Sequence, residues 1–145
     1  MEKKLSASDL YSQFENEIQS FEQKSWYIAI FEGSPSGNLY SWCPDCVVAS
    51  THVSNFEKYQ DKVKLLKFKV GARKEWESKT KLNPFKDKFP HLSDVPTAIL
   101  FMGKLEVFRA VAPQESDLRY MCERIELYKR QIKESKWHPP LRFRK

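Results

Sequence analysis

Apolar positions along the chain fall into two rhythms. Leu10, Tyr11, Phe14, Ile18 and Phe21 recur at steps of three and four, which predicts an amphipathic helix running to about Lys24. Ser8 or Asp9 is the expected cap at its start. Trp26-Tyr27-Ile28-Ala29-Ile30-Phe31 is unbroken apolar sequence, the pattern of a strand buried on both faces. A loop rich in turn residues, Glu32 to Asn38, comes next. Val47, Val48, His52, Val53 and Phe56 then carry a second helix to about Tyr59. Val63 to Val70 reads as a second strand. Val95-Pro96-Thr97 introduces a third strand through Met102, and Gly103-Lys104 turns the chain into a fourth, Leu105 to Val111. Pro113 and Glu115 open a last helix with Leu118, Met121, Cys122, Ile125 and Tyr128 on one face.

Strands alternating with helices imply parallel neighbours, and the tight turn at Gly103 implies one antiparallel pair. The expectation is an α/β domain with a central mixed four-stranded sheet flanked by helices. Residues 71–91 form a long polar connection holding Trp76, Phe85 and Phe89, with a helix start at Asn83-Pro84. A connection of this length inside a compact domain is usually functional.

Length and charge refine the organisation. A chain of 145 residues with a 41% hydrophobic share has enough apolar surface for one core. The net charge of +6 is not spread evenly: from Lys129 onward seven basic residues face a single acid, Glu134, and the remainder is neutral. We therefore expect one domain over residues 1–130 and a basic tail over 131–145. No apolar run is long enough to cross a bilayer. The start, Met1 to Asp9, lacks the apolar stretch of a secretory signal, so a cytoplasmic location is expected.

The chemistry concentrates in Ser41-Trp42-Cys43-Pro44-Asp45-Cys46, between a buried strand and an amphipathic helix. Placed at a helix N-terminus, Cys43 meets unpaired backbone N–H groups and the positive end of the macrodipole, which favour the thiolate. The thiolate is the attacking species in disulfide exchange. Cys46, one turn further in, is the expected resolving thiol. Pro44 suits the first helical turn, where no backbone N–H is needed. A zinc site would need two further ligands, but Cys122 is alone and His52, His91 and His138 are scattered, so no metal is expected. Cys122 lies on the apolar stripe of the last helix and reads as a small buried hydrophobe. His52 reads as a surface or boundary residue of its helix.

With Trp42-Cys43-Pro44-Asp45-Cys46 and Val95-Pro96-Thr97 both present, the chain resembles the thioredoxin superfamily. More narrowly it resembles the thioredoxin domain-containing protein 17 family, the Clot type. That family's Ser-Trp-Cys-Pro-Asp-Cys stands complete at positions 41–46; Val70-Gly71 and Trp76 are similar too. The resemblance covers roughly residues 6–130. It implies a thioredoxin fold in which a cis peptide at Val95-Pro96 faces the cysteines and helps bind substrate. It also implies a cytosolic disulfide reductase with no bound cofactor, using NADPH indirectly through thioredoxin reductase. The implied substrates are protein disulfides and small disulfides such as cystine.

Two departures stand out. Ordinary thioredoxins carry a buried acid on the first central strand, and Tyr27 to Phe31 holds none. Glu32, expected to face solvent, and Asp45 are left as candidates to take the proton of Cys46. Trp42, Pro44 and Asp45 are in any case expected to tune the pair. The second departure is the tail, which exceeds the family pattern. Two other readings stay open. One is a glutathione-linked, glutaredoxin-like enzyme, against which Asp45 stands where an aromatic is usual. The other is an interaction module working through the basic tail; with no recognised nucleic-acid module present, nucleic acid is not an expected partner.

Overall fold

A computed structural model describes residues 5–37, 40–60 and 62–133. The described elements, in chain order, are α1 (Ala7–Gln19), β1 (Trp26–Glu32), α2 (Pro44–Tyr59), β2 (Lys64–Lys69), α3 (Arg73–Trp76), α4 (Pro84–Asp87), β3 (Thr97–Met102), β4 (Leu105–Val111) and α5 (Glu115–Lys133). The strands form one mixed sheet in the order β2-β1-β3-β4. β1 and β2 are parallel, joined across α2. β1–β3 and β3–β4 are antiparallel. This is the α/β architecture expected from the alternation of elements.

Alternate residues of β1 divide the core. Tyr27, Ala29 and Phe31 face an aromatic-rich cluster with Tyr11, Phe14, Phe68, Trp76 and Phe85. Ile28 and Ile30 face an aliphatic cluster with Val53, Leu100, Leu118, Met121 and Ile125 from the other side of the sheet. Phe14 is fully buried, with ring centroids 5.3 Å from Phe31, 4.9 Å from Phe68 and 5.7 Å from Phe85. Truncating such a ring to alanine costs about 3–5 kcal/mol.

Several boundaries differ from the expected ones. The cap of α1 is Ser6, not Ser8 or Asp9: its hydroxyl accepts from the Asp9 N–H at 3.1 Å, and the Asp9 carboxylate accepts from the Ser6 N–H at 3.3 Å. This reciprocal capping box starts the helix earlier than the apolar stripe suggests. The helix stops at Gln19, short of Lys24. Phe21 lies beyond it and stacks on Tyr27 at 4.5 Å. α5 continues to Lys133, past residue 130. Residues 134–145, most of the expected tail, lie outside the described residues.

The connection 71–91 is not simply a polar excursion. It contains two one-turn helices, and Trp76 and Phe85 are buried in the aromatic cluster. Its end is held to the sheet by Arg109 on β4. That guanidinium donates to the Pro90 and His91 carbonyls at 2.6 and 3.2 Å and pairs with the Glu106 carboxylate at 2.6 Å. On β4 itself, Leu100 faces Phe108 while Phe101 faces Glu106, so Val107 is the extra residue of a β-bulge.

Candidate active site

β1 ends beside the N-terminus of α2, and the loop between them delivers both cysteines to that junction. Cys43 is the N-cap of α2 and Pro44 its first helical residue. The Cys43 sulfur accepts the backbone N–H of Cys46 at 3.2 Å, so the side chain itself fills the capping role usually played by oxygen. The same sulfur stands 3.5 Å from the Val95 carbonyl oxygen, and the Val95–Pro96 peptide is cis. The structure thus brings Cys43, Cys46, Val95 and Pro96 together from two separate stretches of chain.

Both cysteines are unbridged. Cys46 has no exposed surface. Burial pushes its thiol well above the ordinary value, and a hydrogen bond between the two sulfurs adds to this. The Gly33 N–H, 3.5 Å from the Cys46 sulfur, and the Ser41 hydroxyl act in the opposite direction. The Ser41 hydroxyl also accepts from the Cys43 N–H at 3.2 Å.

The acids part company here. Asp45 is exposed on the first turn of α2. Glu32 is not solvent-facing as expected: it is only 8% exposed and pairs with the Lys69 ammonium. The parallel register places Glu32 directly opposite Lys69, which gives the buried carboxylate its counter-charge. A polar cavity of about 350 Å³ is lined by Glu32, Lys69, Ser41 and Cys46. An acid, the last residue of β1, therefore lines the same cavity as the buried thiol.

Trp42 is held from two sides. Its indole N–H donates to the Gly71 carbonyl at 2.9 Å. Its ring lies against Gly33, where an added Cβ would stand 2.6 Å from the indole; only glycine permits that approach. Gly71 adopts φ +110°, a conformation that side chains resist. Ser34 ties the two segments, its N–H donating to the Gly71 carbonyl and its hydroxyl accepting the Gly71 N–H, both at 3.0 Å. Sequence reasoning did not single out Gly33, Ser34 or Lys69. A glycine just past each of the two paired strands was the available signal.

The thioredoxin domain model of the thioredoxin domain-containing protein 17-like family matches residues 7–121. The chain belongs to this family. Among solved structures, the domain is similar to the germline-specific thioredoxin Deadhead of Drosophila melanogaster, at 16% identity and a TM-score of 0.48. That likeness covers 86% of this chain and 98% of the other. No curated protein matches the chain. The chain is thus a thioredoxin-family domain bearing a Cys43–Cys46 pair at a strand–helix junction, the arrangement of thioredoxin-type redox chemistry. Among the described residues no cluster of His, Cys, Asp and Glu could hold a metal ion, and no helix is long and apolar enough to cross a membrane.

Proposed function

We propose that this domain is a cytosolic disulfide reductase in which Cys43 attacks and Cys46 resolves. The observation that carries the reading is the placement of the Cys43 sulfur at the N-cap of α2, receiving the Cys46 N–H, with the second thiol buried behind it. Hydrogen bonds from a backbone N–H and from a neighbouring thiol suit a sulfur that carries negative charge.

The Cys43 thiolate attacks one sulfur of a substrate disulfide. That S–S bond breaks, a Cys43–substrate disulfide forms, and the first substrate thiolate departs and takes a proton. Cys46 then loses its proton and attacks the Cys43 sulfur. The mixed disulfide breaks, the second substrate thiol leaves, and Cys43 and Cys46 end as a disulfide. Two electrons must return to restore the dithiol; in this proposal thioredoxin reductase supplies them from NADPH. The domain binds no cofactor of its own.

The buried, strongly raised Cys46 thiol needs a proton acceptor at the resolving step. Glu32 is assigned that role, because it lines the same cavity as Cys46 and is largely buried. Asp45 is too exposed to compete. Val95 and Pro96 form the wall against which an extended substrate segment lies, the Val95 carbonyl being within reach of the reacting sulfur. Protein disulfides and cystine are the substrates tested first. The experiment is a coupled assay of NADPH consumption with thioredoxin reductase and either insulin or cystine. Turnover by the wild type and none by Cys43→Ser is expected. No wild-type turnover with either substrate would overturn the reading.

A further inference from the structure

The connection 71–91 meets the cysteine site at Gly71, which bonds to Trp42 and Ser34, and residues deep inside the connection hold that place still. Asn83 is 2% exposed. Its side-chain amide donates to the Val70 carbonyl at 2.8 Å, while its carbonyl oxygen accepts from the Phe85 N–H at 2.9 Å. One side chain thereby caps α4 and fastens α4 to the residue before Gly71. Glu75 fastens the other side: its carboxylate accepts from the Ala72 N–H at 3.1 Å and the Ala7 N–H at 2.8 Å. The segment 70–72 is clamped between α1, α3 and α4, and its middle carbonyl receives the Trp42 indole.

We propose that Asn83 is a positioning residue that acts through Val70–Gly71 on Trp42 and so determines which disulfides reach Cys43. The inference rests on the reductase reading above. Trp42 immediately precedes Cys43 and is half-exposed. A macromolecular disulfide must pass its ring, whereas a small disulfide approaches the sulfur with less contact. A ring with a tethered N–H and glycine beneath it is one fixed wall; untethered, it samples several positions and admits broader partners. The connection is a specificity device anchored in the core, and its anchor lies outside the cysteine motif.

Asn83→Asp separates capping from anchoring. It keeps the acceptor for the Phe85 N–H and loses the donor to Val70. Trp42→Phe removes the other end of the linkage and leaves Asn83 intact. The readout is the ratio of kcat/KM for insulin to kcat/KM for cystine in the coupled assay. Each substitution should raise this ratio about fivefold, the scale of one hydrogen bond, through KM for insulin, and Asn83→Asp, remote from the sulfurs, should leave kcat for cystine unchanged. The double variant should show no more than the larger single effect, because both act through one linkage. An unchanged ratio in Asn83→Asp, or a double effect equal to the product of the singles, would overturn the proposal. Should Asn83→Asp fail to fold, Trp42→Phe decides: an unchanged ratio there overturns it as well. These outcomes require an active wild type, so they are distinct from failure of the reductase reading, in which the wild type turns over neither substrate.

Discussion

Cys46 and Cys122 sit on helices that pack against each other on one side of the sheet, and burial raises both thiols, Cys122 to about 11. Their surroundings differ in kind. Around Cys46 stand a second sulfur, a backbone N–H, a hydroxyl and a polar cavity with a carboxylate in it. Cys122 packs against the aliphatic cluster, and its two charged neighbours, Glu123 and Glu126, both hold the proton on. Burial alone makes a thiol inert. In the proposed reaction, what makes the buried Cys46 usable is a helix end that presents a partner sulfur to it, and a carboxylate lining its cavity.

The contrast breaks most sharply at the motif. Cys43→Ser should abolish disulfide reduction, and Cys46→Ser should accumulate mixed disulfides trapped on Cys43, visible by mass spectrometry after mixing with insulin. Normal turnover by Cys46→Ser would erase the distinction between the two thiols. Next in size is the base. Glu32→Gln should slow release of the mixed disulfide about 100-fold in single turnover at neutral pH, and raising the pH should restore part of the loss as hydroxide takes over. Asp45→Asn should leave that release rate within about twofold, since its carboxylate is exposed and screened.

Smaller effects belong to Cys122. Cys122→Ala should retain full reductase activity and cost about 1 kcal/mol of stability in urea unfolding. Loss of turnover in the folded variant would move Cys122 into the reaction. The last prediction concerns alkaline pH. A thiol whose value is raised on folding contributes stability that is complete below its unfolded value, near 9, and is lost as pH climbs toward the folded value. The wild type should therefore lose stability between pH 9 and 11 more steeply than Cys122→Ala, measured by unfolding at each pH.

Most of the sheet was legible because its strands are unambiguous: β1 is continuous apolar sequence, and β3 and β4 flank a Gly-Lys turn. The cysteine pair was legible because Pro44 and the strand–helix context set it apart from ordinary cysteines. The capping of α1 was misplaced because three of the four residues 6–9, Ser6, Ser8 and Asp9, have capping chemistry; only the reciprocal bonds distinguish them. The burial of Glu32 was illegible for a different reason. It depends on the register that sets Lys69 opposite it, a pairing of two residues far apart in the chain and joined through α2. Asn83 was read correctly as a helix start, while its second bond, to Val70, joins residues that only the folded chain brings together.

The outer strand β4 has a further consequence. An open sheet edge offers unpaired backbone groups to any extended chain nearby, and thus invites open-ended stacking. Here the edge is interrupted by the bulge at Val107 and by an ion pair, Glu106–Arg109, with Glu106 turned inward. At the opposite margin β2 shows Lys64 and Lys67 to solvent. A foreign strand laid on either margin would have to bury charge or mismatch its register. A reductase of the kind proposed would bind extended, disulfide-bearing chains, and these margins disfavour the pairing of such a chain with the sheet edge.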